Sequence, residues 1–174
     1  MDWVNILVQG CLLGGLYGLF AIGLSLSFGI MRLVNIAHGD LIVLSAYVAM
    51  IVVEFTGLDP ITGLLVILPT MFLFGYALQR GLLNFTLEGG LLPPLLVTFG
   101  ISVIIQNGLL LSFGAYTHRL KLGAIETQSI VFPGDMSVGV FPLITFGVAV
   151  LSIGGLQLLF YKTALGRAFR AVSD

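Results

Sequence analysis

The feature that most constrains this chain is its first apolar run. Residues 4–30 contain no charged side chain. As a helix that stretch rises about 40 Å at 1.5 Å per residue, which exceeds the roughly 30 Å hydrocarbon core of a bilayer. The run therefore reads as a tilted membrane span. Met1-Asp2-Trp3 lacks the positive n-region and small-residue cleavage site of a signal peptide, so the run is expected to be a retained helix.

The rest of the chain repeats the pattern. Charged residues are 9% of the sequence and the apolar set is 58%, against about 25% charged in a typical soluble domain. So few charges cannot cover a water-facing surface, and most of the exterior must face lipid. Further apolar runs cover about residues 41–53, continuing weakly past Glu54 to Gly57, and then residues 61–78, 95–113 and 141–161. The expected fold class is all-α, a polytopic transmembrane helical bundle of about five spans forming one domain over residues 1–174. Asp59-Pro60 marks a turn, and residues 81–94, with Glu88, Gly89-Gly90 and Pro93-Pro94, are expected to form a loop. Pro69 should kink the third helix or interrupt its hydrogen-bond ladder. Residues 114–140 form the longest polar stretch and residues 162–174 a polar tail.

Orientation follows from Lys and Arg placement. With five spans, Arg32, Arg80, Lys162, Arg167 and Arg170 share one side, and only Arg119 and Lys121 lie on the other. That bias puts the N-terminus outside, the loop 114–140 on the extracytoplasmic side and the tail in the cytoplasm. The net charge of −1 and the lack of a basic stripe give no reason to expect nucleic acid as a partner. Cys11, the single cysteine, excludes an intrachain disulfide.

Polar side chains inside apolar runs are the candidate functional residues, because at membrane depth they face a partner helix, a cavity or a substrate path. One cluster is Asn35, His38, Gly39 and Asp40, with Asn35 and His38 at i,i+3. The plainer reading makes Asp40 the N-cap of the next helix. A second cluster is Thr98, Ser102 and Gln106, a polar stripe at i,i+4 on the fourth run, with Asn107 beside it. Such a stripe either bonds to another helix or lines a passage for a polar solute. Gly10, Gly14 and Gly18 form two overlapping GxxxG units and are expected to pack against a neighbouring helix. His38 has no second nearby ligand, so neither a metal nor another cofactor is expected. There is no phosphate loop and no nucleophile paired with a base, and no catalytic residue is assigned. An intramembrane acid–base pair of His38 and Asp40 would need an unwound segment, since side chains two apart on a helix diverge by about 200°.

The segments taken together are specific. Gly14-Gly15-Leu16-Tyr17-Gly18-Leu19-Phe20-Ala21-Ile22-Gly23-Leu24, followed by Phe28-Gly29-Ile30-Met31-Arg32-Leu33-Val34-Asn35-Ile36-Ala37-His38-Gly39-Asp40, resembles the opening of branched-chain amino acid ABC transporter permeases. Val97-Thr98-Phe99-Gly100-Ile101-Ser102 with Ile105-Gln106-Asn107 looks like a second block of that family. Thr163-Ala164-Leu165-Gly166-Arg167-Ala168-Phe169-Arg170-Ala171 is similar to the start of the family's cytoplasmic ATPase-coupling loop, within residues 162–174.

The resemblance covers about the first three-fifths of a usual member, so an incomplete permease fold is expected. It implies a permease subunit in the cell (inner) membrane, paired with a second permease subunit, two cytoplasmic ATPase subunits and an extracytoplasmic substrate-binding protein. Branched-chain amino acids would cross by ATP-driven alternating access. Asn35, His38, Gly39, Asp40, Thr98, Ser102, Gln106 and Asn107 would flank the substrate path. Thr163, Gly166, Arg167 and Arg170 would couple to the ATPase, with Gly166 allowing close backbone approach. Urea permeases carry the same blocks and are the near alternative. A non-ABC channel or a pure assembly subunit is the more distant one.

Overall fold

The computed structural model describes residues 2–31, 33–120, 128–132, 136–163 and 166. Arg32, Lys121, Arg167 and Arg170 lie outside the described residues. Among the described residues the structure has five α-helices and a short hairpin: α1 (Asp2–Met31), α2 (His38–Thr56), α3 (Pro60–Gly81), α4 (Leu92–Phe113), β1 (Ser129–Phe132), β2 (Met136–Gly139) and α5 (Val140–Lys162). Among the described residues all five helices are long and apolar enough to cross a membrane, and the polytopic all-α expectation holds. By packing, the chain divides into two compact units, residues 1–32 with 121–174 and residues 33–120.

In the first unit α1 packs along α5. The approach is made through Gly15, where a methyl group would overlap the Phe146 ring, and through Gly18, 3.7 Å from Ile153 Cδ1. Gly10 and Gly14 face open space within this unit. Within this unit the contact with α5 is therefore made at Gly15 and Gly18. Gly14 and Gly15 are about 100° apart on the helix, and only the position of Phe146 decides which of them is crowded.

The loop 114–140 is not wholly irregular. Ser129, Ile130, Val131 and Phe132 pair antiparallel with Gly139, Val138, Ser137 and Met136, and the Val140 N–H donates to the Gln128 carbonyl at 3.0 Å. Val138 is buried, and Gln9 Nε2 donates to the Ser137 carbonyl at 3.2 Å, which ties the hairpin to α1. Ile130-Val131-Phe132 and Met136-Ser137-Val138, short β-prone runs either side of Pro133-Gly134-Asp135, are a hairpin pattern.

In the second unit α2 and α3 form a tight antiparallel pair. Gly57, at φ 67°, ends α2 in the left-handed conformation and donates its N–H to the Val53 carbonyl at 2.9 Å. Asp59 then caps α3, accepting the Ile61 N–H at 3.2 Å, with Pro60 in the first turn where its missing donor does no harm. α3 runs on through Pro69 rather than ending there. The ring removes only the bond that would reach the Leu65 carbonyl.

Residues 81–94 differ from the expected loop. α3 extends to Gly81, a 3-10 helix covers Leu83–Gly89, and α4 begins at Leu92 with Pro93 and Pro94 in its first turn. The first four N–H groups of a helix have no internal partner, so this Pro pair starts the helix instead of preceding it. α4 is the most enclosed of the five spans, and the core of the unit, Ala37, Ile101 and Ile105, lies along it.

Candidate functional site

The segment leading into α2 is a compact turn. Asn35 Oδ1 accepts the Ala37 N–H at 3.0 Å, and the Asn35 carbonyl accepts the His38 N–H at 3.2 Å. Asn suits this position because its short side chain mimics a backbone acceptor. Leu33 and Ala37 are buried beneath the turn.

Side chains of α4 pin that turn in place. The Ile36 N–H donates to Thr98 Oγ1 at 3.3 Å, while the fully buried Thr98 donates its own hydroxyl to the Leu95 carbonyl at 3.1 Å. One helical turn further along both segments, Ser102 Oγ donates to Asp40 Oδ2 at 2.5 Å. Gln106 Nε2 donates to Asp40 Oδ1 at 3.0 Å and to Ser102 Oγ at 3.3 Å. Ile36–Thr98 and Asp40–Ser102 have the same sequence offset of 62. A constant offset means that the two segments run parallel, as the first and third of three consecutive spans must.

The two polar clusters read from the sequence thus meet, but their members divide by role. Asn35 shapes the turn, and Thr98 and Ser102 are buried helix-to-helix ties. Asp40 does not cap α2. The helix begins at His38, its N-cap Ala37 makes no side-chain bond, and Asp40 in the first turn reaches across to α4. Two directed side-chain donors outcompete the amides of its own helix, while the positive helix end still favours its charge. His38, half-buried, is the first residue of α2, and a methyl at Gly39 would meet nothing within 4 Å. Asn107 turns back to its own helix, donating to the Val103 carbonyl at 2.8 Å, and takes no part in the cluster.

Beside Asp40 opens a pocket of about 230 Å³. It is lined by Asp40, Val43 and Tyr47 of α2, and by Gln106, Leu109, Leu110 and Gly114 at the end of α4. Tyr47 also lines a smaller recess of about 120 Å³ with Ala46, Met50, His118 and Leu120. Its ring centroid lies 4.6 Å from Phe113 and 5.8 Å from His118. His118 Nε2 is 3.0 Å from the Phe113 carbonyl, which can only accept, so that nitrogen carries the hydrogen. The sequence reading passed over Tyr47, although Asp40, Val43 and Tyr47 fall at i, i+3 and i+7, one face of a helix. Among the described residues, no three His, Cys, Asp or Glu side chains cluster as metal ligands.

At the end of α5, Thr163 Oγ1 donates to the Leu159 carbonyl at 2.6 Å and accepts the Gly166 N–H at 3.2 Å. Gly166 is buried, and a methyl there would overlap the Phe160 backbone. The close approach at Gly166 is therefore made within the chain.

Comparison with known proteins identifies the family. The family model described as branched-chain amino acid transport system / permease component matches residues 6–174. The high-affinity branched-chain amino acid transport system permease protein BraD of Pseudomonas aeruginosa is 31% identical over 97% of this chain and 58% of its own length. The corresponding permease protein LivH of Escherichia coli K12 is 24% identical over 95% and 57%. A probable branched-chain amino acid transport permease protein LivH of Methanocaldococcus jannaschii is 28% identical over 96% and 54%. The chain thus spans a little over half the length of these relatives. No solved structure matches. A family model that extends over nearly the whole chain, including both polar clusters that meet at Asp40, places this protein among the permease components of branched-chain amino acid transport systems.

Proposed function

We propose that this chain forms the membrane-embedded part of an ABC importer permease that carries branched-chain amino acids by ATP-driven alternating access. The observation that carries the reading is the family match over residues 6–174, with relatives whose names specify branched-chain amino acid transport. The two compact units belong to one transmembrane permease domain in this reading. A second permease subunit completes the pathway, two cytoplasmic ATPases supply the hydrolysis, and an extracytoplasmic binding protein delivers the solute. The N-terminus lies outside the inner membrane and the tail in the cytoplasm, as Lys and Arg placement suggests. The loop 114–140, with its hairpin, helps to receive the binding protein. Residues 162–174 transmit ATPase closure: Thr163 and Gly166 set the path of the chain beyond α5, and Arg167 and Arg170 pair with acidic groups of the ATPase.

The test is uptake by proteoliposomes carrying this chain in the assembled transporter. ATP-dependent accumulation of leucine, isoleucine or valine is expected. Accumulation of urea or short amides with none of these three overturns the substrate assignment. Flux that persists without ATP and after loss of residues 163–174 would identify a passive channel instead.

A further inference from the structure

We infer that the pocket beside Asp40 is a transit site for aliphatic amino acids, in which the Asp40 carboxylate receives the substrate's α-ammonium group. The inference rests on the transport reading above and deepens it by naming the recognition chemistry.

Asp40 is held by two neutral donors, one on each oxygen. An ionised carboxylate offers about four lone-pair positions, so these bonds leave room for two more donors. Neither Ser102 nor Gln106 brings positive charge, and the first turn of α2 supplies only partial compensation. A carboxylate so placed within an apolar helix pair is suited to a cationic partner. The pocket beside it says which cation. Apart from Asp40 and Gln106 at one end, its walls are Val43, Leu109 and Leu110, with the Tyr47 ring alongside. At about 230 Å³ it is smaller than the roughly 300–1,000 Å³ of sites for drug-sized ligands. A charged end joined to a short apolar trough matches a small zwitterion with a branched aliphatic side chain. The Tyr47 hydroxyl is a donor available to the substrate's carboxylate.

The same geometry separates solute classes. A neutral amide such as urea offers donors to Asp40 but no charge, and leaves the apolar wall unused. A 2-oxo acid keeps the aliphatic chain but replaces the ammonium with a carbonyl, and would bring a second anion close to Asp40.

The pocket can be read directly in the assembled transporter with photo-leucine, whose diazirine lies on the side chain. During turnover, labelling is expected on peptides containing Val43 or Leu109 and Leu110. Excess leucine should suppress it, and equal concentrations of urea or 4-methyl-2-oxopentanoate should not. Asp40→Asn should lower the labelling about tenfold or more, the scale of one lost charge-assisted contact. Leu110→Trp, at an exposed position that leaves the Asp40 network intact, should abolish it by filling the pocket. Uptake of leucine with labelling confined to other segments, or unchanged in both variants, overturns the pocket assignment while the transport reading stands. No ATP-dependent uptake of any branched-chain amino acid by the unaltered assembly would instead overturn the transport reading.

Discussion

Ser102 donates its hydroxyl to the Asp40 carboxylate across the α2–α4 contact, one turn beyond the point where Thr98 accepts the Ile36 N–H. These two bonds join the most polar turn of the chain to the middle of an apolar helix. In a lipid-facing protein, where burial of apolar surface supplies little helix-to-helix drive, such ties and close packing are what hold neighbours together.

Thr98 is the test of that tie. Thr98→Val keeps the shape but leaves the Ile36 N–H without its acceptor, and a buried unsatisfied donor costs about 1–3 kcal/mol. Thr98→Ser should retain most of the stability. Thermal unfolding in detergent, followed by size-exclusion fluorescence, should rank Thr98→Ser well above Thr98→Val.

Helix pairing in the first unit is expected to depend on Gly15 and not on Gly14. Gly15→Leu forces the Phe146 ring aside, at about 1–3 kcal/mol for an overpacked contact. A Cβ at Gly14 meets nothing within 4 Å, so Gly14→Ala should leave the pairing unchanged. A disulfide cross-linking assay between engineered cysteines on α1 and α5 should lose efficiency for Gly15→Leu alone. Recovery in the double variant Gly15→Leu with Phe146→Ala would identify the ring as the cause.

The α2–α3 turn makes a separate claim. Gly57→Ala places a Cβ in the left-handed region and should cost about 1–2 kcal/mol, and Asp59→Ala should cost about 1 kcal/mol through the lost cap. The two positions share one turn, so a double-variant measurement of unfolding temperature reads any coupling between them.

At the other end of the chain, Gly166→Ala clashes with the Phe160 backbone, so the chain beyond Thr163 must take another path. In the assembled transporter, substrate-stimulated ATP hydrolysis should fall while binding-protein docking is retained. Hydrolysis that stays fully substrate-dependent would count against a coupling role for this bend.

Topology can be read with single cysteines in a Cys11→Ser background. A cysteine at Tyr116 should react with an impermeant maleimide added to intact cells. One at Thr163 should react only after the membrane is opened. The reverse pattern would invert the orientation.

Much of this organisation was legible in the residues, because a membrane span must satisfy its backbone internally and be apolar for some twenty positions. Those demands leave long uninterrupted runs, so all five helices were readable to within a few residues. The polar interruptions Asp40, Thr98, Ser102 and Gln106 stood out for the same reason. What the residues left open were local choices among equals. Asp40 had its own helix amides within reach, yet took two donors on α4. Gly14 and Gly15 were equally small, yet only one meets Phe146. Pro93-Pro94 suits a loop or a first helical turn, and α4 begins there.

The chain's own residues therefore determined that this protein lies in a membrane, where its membrane-length helices run among the described residues and which polar groups would stand out. Tertiary structure alone decided which of those groups meet: that Asn35 and Thr98 build a turn, that Asn107 turns away, and that Asp40 faces a pocket with Tyr47. Helix formation in lipid is set by each segment separately. The partners of a side chain are set by residues some sixty positions away, and no local pattern records them.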